Sequence, residues 1–168
     1  MRKIHVLKAI VDFIWFVSYP ILFLGIIFII ALFFSDTFNN KELHLLNTEI
    51  LINNVFSKVL ISVLVLTVYL ILYCVYLFRK VLTYFLRAKI FDVFVLKTLN
   101  KIGKLLTTAG SVSLINSLLL IYLYKQKLFL GFGLSPHLII ICLGLFFMVL
   151  SEVFTIAKKA KQENDLTI

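Results

Sequence analysis

Residues Val59–Phe78 read VLISVLVLTVYLILYCVYLF, twenty positions without a charge. A helix of that length rises about 30 Å, which matches the hydrocarbon core of a bilayer. The apolar residues run consecutively and do not alternate, which argues against a barrel strand and for a helix. Three further stretches share the pattern: Val11 to Phe34 (VDFIWFVSYPILFLGIIFIIALFF), Leu105 to Tyr124, and Pro136 to about Ala157. Across the 168 residues 62% are apolar and 15% charged, whereas a soluble domain has about 45–50% and 25%. One soluble core cannot hide so much apolar side chain, so lipid must be the second solvent.

Orientation follows from where the cations fall. The N-terminal segment holds three Lys or Arg, residues 79–104 seven and the tail from Lys158 three, whereas 35–58 and 125–135 hold two each. Alternate segments share a side, so thirteen cations stand against four. The positive-inside rule places the thirteen, and both termini, on the cytoplasmic side of an inner membrane that the chain crosses. The formal charge of +9 then reads as topology and anionic-lipid contact, and direct nucleic-acid binding is not expected. Cys74 and Cys142 lie inside apolar runs and form no CxxC pair, so neither a disulfide framework nor a zinc site is expected. Arg2, Lys3 and Lys8 ahead of an apolar stretch imitate a signal peptide. The stretch is too long for a signal h-region and no A-x-A-like site follows Phe34, so it should stay as an anchor.

Ser135 before Pro136 reads as an N-cap with proline at the first helical position. Pro20 should bend the first span and free a carbonyl near Trp15 and Phe16. Gly131 and Gly133 in a short outer loop make the last two spans an antiparallel hairpin. Asp12 and Glu152 sit at span edges at similar depth, where ionisable groups pair or line a pathway. Arg79, Lys80 and Lys104 mark the same level. A proton relay would need carboxylates deeper in the bilayer, and the spans contain none. In the third span Ala109, Ser113 and Ser117 recur every four residues, a small-residue stripe that lets helices approach closely. Asn116 lies about 18 Å beyond Lys104 by helical rise, deep enough to need an interhelical hydrogen bond. Helix packing is the bland reading of these positions; a ligand site, or a polar path along Thr108, Ser111 and Asn116, is the functional one.

Residues 79–104 are more than a connector. Leu82, Phe85, Leu86, Phe91, Phe94, Leu96, Leu99 and Ile102 interleave with cations, Lys97, Lys101 and Lys104 share one helical stripe, and Asp92 is placed to cap a helix. This predicts an amphipathic cytoplasmic helix between spans two and three, lying in the interface or leading into the third span. The outer segment 35–58 holds an amphipathic stretch around Leu45, Leu46, Ile50, Leu51, Val55 and Phe56. His5, His44 and His137 are scattered, and no phosphate loop, H-E-x-x-H or G-x-S-x-G occurs. No catalytic activity, metal or cofactor is expected.

Two of the cytoplasmic segments carry a family likeness. Leu150-Ser151-Glu152-Val153-Phe154, followed by Gln162-Glu163-Asn164-Asp165-Leu166-Thr167-Ile168, resembles the end of a bacterial membrane family, Domain of Unknown Function 2975. Its pattern there is an E-V-F segment, a turn or two of helix, then E-N-D/E-L-T. Lys89-Ile90-Phe91-Asp92 leading to Leu99-Asn100-Lys101-Ile102-Gly103 is similar to the family's second signature, a phenylalanine-started helix ending in an I-G pair. Members often carry Gly and Pro before that phenylalanine; here Ala88 and Ile90 stand instead. Length and four-span layout agree over essentially the whole chain.

The resemblance implies a membrane protein with no enzymatic activity attached, commonly encoded beside a very small Cro/C1-type helix-turn-helix regulator. That DNA-binding regulator is the cytoplasmic partner it suggests. Phe91, Asp92, Asn100, Glu152, Phe154, Glu163, Asn164, Asp165 and Leu166 are the candidate contacts. A second copy of the chain is a further candidate partner. Lys159/Glu163 and Lys161/Asp165 place the cation first, the weaker i,i+4 order, so helix stability alone explains these charges poorly. The expectation is an all-α bundle of four transmembrane helices with an amphipathic cytoplasmic helix, serving as a non-enzymatic regulatory or sensory protein. A small transporter or channel subunit is the alternative.

Overall fold

A computed structural model describes residues 2–34, 42–45, 48–51, 55–125 and 135–165. The chain runs α1 (Arg2–Phe34), β1 (Glu42–Leu45), β2 (Thr48–Leu51), α2 (Val55–Leu86), α3 (Val93–Lys125) and α4 (Pro136–Asp165). All four helices are long and apolar enough to cross a membrane. Each has 30 to 33 residues, about 45–50 Å of rise, so each apolar run is the middle of a longer rod. The surplus turns lie where α1 and α3 begin and where α2 and α4 end. Those four helix ends lie together, and with the turn that joins α2 to α3 they carry thirteen of the seventeen Lys and Arg residues.

The seams form in chain order: α1 on α2, α2 on α3, α3 on α4. On α1 the buried residues are Val11, Ser18 and Leu32. Gly25 completes that spacing of seven, and a Cβ there would meet the Tyr69 ring at 3.1 Å. One stripe per two turns is the signature of a narrow helix–helix contact. Most of the rest of α1, including Phe13, Phe16 and Phe23, is exposed, the surface that a bilayer would solvate. The main core lies between α2 and α3, where Cys74, Leu77, Val81, Val95, Leu99, Ile102 and Leu106 pack together, with Phe147, Leu150 and Phe154 of α4 against them. At the other end Leu32, Leu60, Ile61 and Leu120 join α1, α2 and α3.

The α3–α4 seam is the tightest. A Cβ on Gly103 would stand 2.7 Å from the Gly144 carbonyl oxygen, and one on Gly110 3.1 Å from the Ile141 nitrogen. Backbone meets backbone here, as small residues permit.

Two expectations change. The amphipathic helix expected between spans two and three is not a separate element: of its two expected settings, in the interface or leading into the third span, residues 93–104 take the second, as the first three turns of α3 itself. No proline interrupts that stretch, and its one glycine, Gly103, is accommodated because its missing side chain admits α4. The outer segment also adds a small antiparallel hairpin to the all-α plan, with Glu42 opposite Leu51 and Leu45 opposite Thr48. The first strand, ELHL, alternates with the two-residue period of a strand; the second, TEIL, does not. Gly131 and Gly133 lie outside the described residues. The helix of α1 continues through Pro20.

The turn between α2 and α3 is closed at both sides. The Lys89 N–H donates to the Tyr84 carbonyl and the Ala88 N–H to Phe85, each at 3.1 Å, while Ala88 takes a φ of 56°. This is a Schellman cap with alanine where glycine is usual. Asp92 then starts α3 as expected, its Oδ1 accepting the Phe94 N–H at 2.8 Å.

Candidate functional site

The lysine-rich end of the bundle gathers most of the residues singled out in the sequence. Asp12, at the start of the first apolar run, is paired with Arg79 at the end of the second, Arg79 Nε donating to Oδ1 at 2.5 Å. The contact ties α1 to α2 at the level where both leave their apolar stretches. Phe91 and Phe154 meet edge to face with ring centroids 6.4 Å apart, and Phe85 adds a second edge contact to Phe154 at 6.1 Å. The two segments that carry the family likeness are therefore in contact: the turn before α3 rests on α4. Beneath them the Ser151 hydroxyl, buried, donates to the Leu96 carbonyl at 2.8 Å.

These contacts divide the candidate partner residues. Phe91 and Phe154 hold the turn on α4, and Asp92 caps α3. Asn100 is half-buried on α3, and Glu152 is exposed on α4 without a hydrogen-bond or ion-pair partner among the described residues. Glu163 and Asn164 are exposed on the last turn of α4. Asp165 ends that helix, and Leu166 lies outside the described residues.

An aromatic and cationic cluster beside the Asp12–Arg79 pair was missed in the sequence reading. Trp15 lies 5.2 Å from Tyr76 and 5.4 Å from Tyr19 between ring centroids, and Tyr73 stacks on Tyr76 at 6.2 Å. Lys80 stands over Tyr76 and Lys101 over Tyr73. Tyr69, Tyr73, Tyr76 and Lys80 are spaced by four, three and four on α2, the signal that would have put them on one face.

The buried polar residues of the third apolar run divide between two neighbours, Asn116 toward α2 and the serine pair Ser113 and Ser117 toward α4. Asn116 is buried and its Nδ2 donates to the Leu60 carbonyl of α2 at 2.9 Å. Ser113 and Ser117, also buried, face α4 and hold His137 between them, at 2.8 Å to Nδ1 and 3.0 Å to Nε2. Ser113 donates its proton to the Gly110 carbonyl. It must then accept from Nδ1–H, leaving Nε2 to accept from Ser117. Ala109 is fully buried. Thr108 and Ser111 are exposed on another side of α3, so Thr108, Ser111 and Asn116 do not line one path.

His137 was not assigned to this cluster because the sequence does not say how far α3 runs past the start of α4. Here α3 continues two turns beyond Ser117, which sets the first turn of α4 beside Ser113 and Ser117.

No curated protein and no solved structure matches the chain. The family described as "Protein of unknown function (DUF2975)" matches residues 13–168, which include both signature segments and the Phe91–Phe154 contact that joins them. The chain belongs to that family.

Proposed function

We propose that this is a multi-pass protein of the bacterial inner membrane, with both termini in the cytoplasm, that acts as a non-enzymatic regulatory or sensory protein on a small cytoplasmic helix-turn-helix regulator. The observation that carries this reading is the contact between Phe91 and Phe154. It assembles two segments, distant in sequence and both part of the family likeness, into one surface beyond the apolar part of the bundle. Glu152, Glu163 and Asn164 are exposed on α4 at the same end of the bundle, polar groups suited to a protein partner rather than to lipid. The thirteen cations at this end support its cytoplasmic placement.

Co-purification tests the reading. The regulator encoded beside the gene is expected to be recovered with the intact chain and lost with a chain truncated after Lys161. Equal recovery from both would remove the proposal. The transporter alternative is weakened by the divergence of Thr108, Ser111 and Asn116 around α3, and the absence of flux from wild-type chain in liposomes would discard it.

A further inference from the structure

Lys80 of α2 and Lys101 of α3 each set an ammonium group against one tyrosine of the Tyr73–Tyr76 pair. Lys80 Nζ stands 4.5 Å from the centre of the Tyr76 ring and Lys101 Nζ 5.4 Å from that of Tyr73. Lys101 also donates to the Tyr73 hydroxyl at 3.3 Å. A ring face attracts an ammonium without using up its donors, and each ammonium has three. Neither lysine has a carboxylate partner among the described residues; the nearby acid, Asp12, is engaged by Arg79. Both lysines and Tyr73 are exposed. The result is a pair of positioned, uncompensated cations contributed by two helices.

Their depth says what meets them. Lys80 comes two residues after the apolar run that ends at Phe78, and Lys101 one turn before the run that begins at Leu105. Trp15 and the tyrosines at this level are the residue types that concentrate at the headgroup layer. Deeper on the same stripe of α2, Leu70 and Leu66 precede Tyr73 by three and seven residues and are exposed, so an apolar track leads from the cations into the hydrocarbon.

We infer that Lys80 and Lys101, against the Tyr73–Tyr76 pair, form a binding site for the phosphate of an anionic glycerophospholipid whose acyl chain lies along Leu70 and Leu66. Phosphate is the shared chemistry of a lipid headgroup and of free phosphate; the apolar track selects the lipid. The inference uses the membrane-spanning part of the reading above and is independent of the regulator.

The full chain is reconstituted into phosphatidylcholine nanodiscs with graded phosphatidylglycerol, and retained lipid is read by native mass spectrometry. Wild type is expected to favour phosphatidylglycerol by about tenfold. Lys80→Gln/Lys101→Gln should lose that preference, while Lys80→Arg/Lys101→Arg and the tail pair Lys158→Gln/Lys159→Gln, which removes equal charge elsewhere, should keep it. Equal retention by wild type and the Lys80→Gln/Lys101→Gln chain overturns the inference, as does equal loss in the tail pair. Displacement of the lipid by millimolar inorganic phosphate overturns the assignment to a lipid. A chain that fails to enter nanodiscs overturns the membrane reading as well; one that enters without choosing among headgroups overturns this inference alone.

Discussion

Gly103 and Gly144 face each other at backbone contact: a Cβ on Gly103 would stand 2.7 Å from the Gly144 oxygen, and one on Gly144 2.8 Å from the Gly103 oxygen. The obstacle on each side is backbone, which cannot rotate away. Gly144→Val, or Gly103→Val at the I-G pair of the family likeness, should therefore force α3 and α4 apart and cost about 1–3 kcal/mol as overpacking does. Thermal unfolding in detergent checks this; an unchanged midpoint would contradict the close seam.

Ala88 holds a φ of 56°, a left-handed conformation that costs an L-residue about 1–2 kcal/mol. Ala88→Gly should raise stability by about 1 kcal/mol, less the added freedom of glycine in the unfolded chain, and Ala88→Val should lower it. The opposite order in the same melting assay would mean that the Schellman turn is not formed.

The bonds from Ser113 and Ser117 to His137 should be worth little individually, about 0.6 kcal/mol each, as interhelical hydrogen bonds in membranes are. A double-mutant cycle with Ser117→Ala and His137→Ala should return a coupling of that size. Zero coupling would separate α4 from this pair. Asn116→Leu should cost about 1 kcal/mol through loss of its bond to the Leu60 carbonyl.

The Asp12–Arg79 pair ties two helices but is open to solvent: the two side chains are 35% and 41% exposed. Asp12→Asn should accordingly cost less than about 1 kcal/mol, and the cost should shrink as salt is raised. A loss several times larger, insensitive to salt, would show the pair to be buried.

Cys142 is exposed on α4 and Cys74 is buried between α2 and α3. In detergent a maleimide should label Cys142 first, with Cys74 reacting only as the chain unfolds. Simultaneous labelling of both would mean that the α2–α3 core is open.

Much of this fold was legible because lipid imposes a simple rule on sequence: an uninterrupted apolar run must be a helix. The capping roles of Asp92 and Ser135 were legible too, since an N-cap is decided within three residues; Ser135 Oγ accepts the Leu138 N–H at 3.4 Å. Two kinds of information were not. Helix ends beyond the apolar runs depend on which polar turns find partners, so the sequence left residues 93–104 either in the interface or leading into the third span, and they continue into α3. Pairings between helices depend on rotation and axial offset. Composition gave Asp12 several cations to choose from and structure gives it Arg79, while His137 seemed isolated until the overhang of α3 set it between two serines. The outer hairpin escaped notice because its strands are four residues each, too short to display a period, and only the first of them alternates.

Because each helix packs against the one synthesised just before it, the chain folds back and forth along itself. Each seam can begin to form on the helix already made, and the ring contact from Phe85 of α2 to Phe154 is added when α4 arrives. α2 can settle on α1, and α3 on α2, while the remainder is still on the ribosome, so assembly can follow translation in order. α4 arrives last to the tightest seam, and with it the Phe91–Phe154 contact: the surface proposed to hold a regulator exists only once the whole chain is in place.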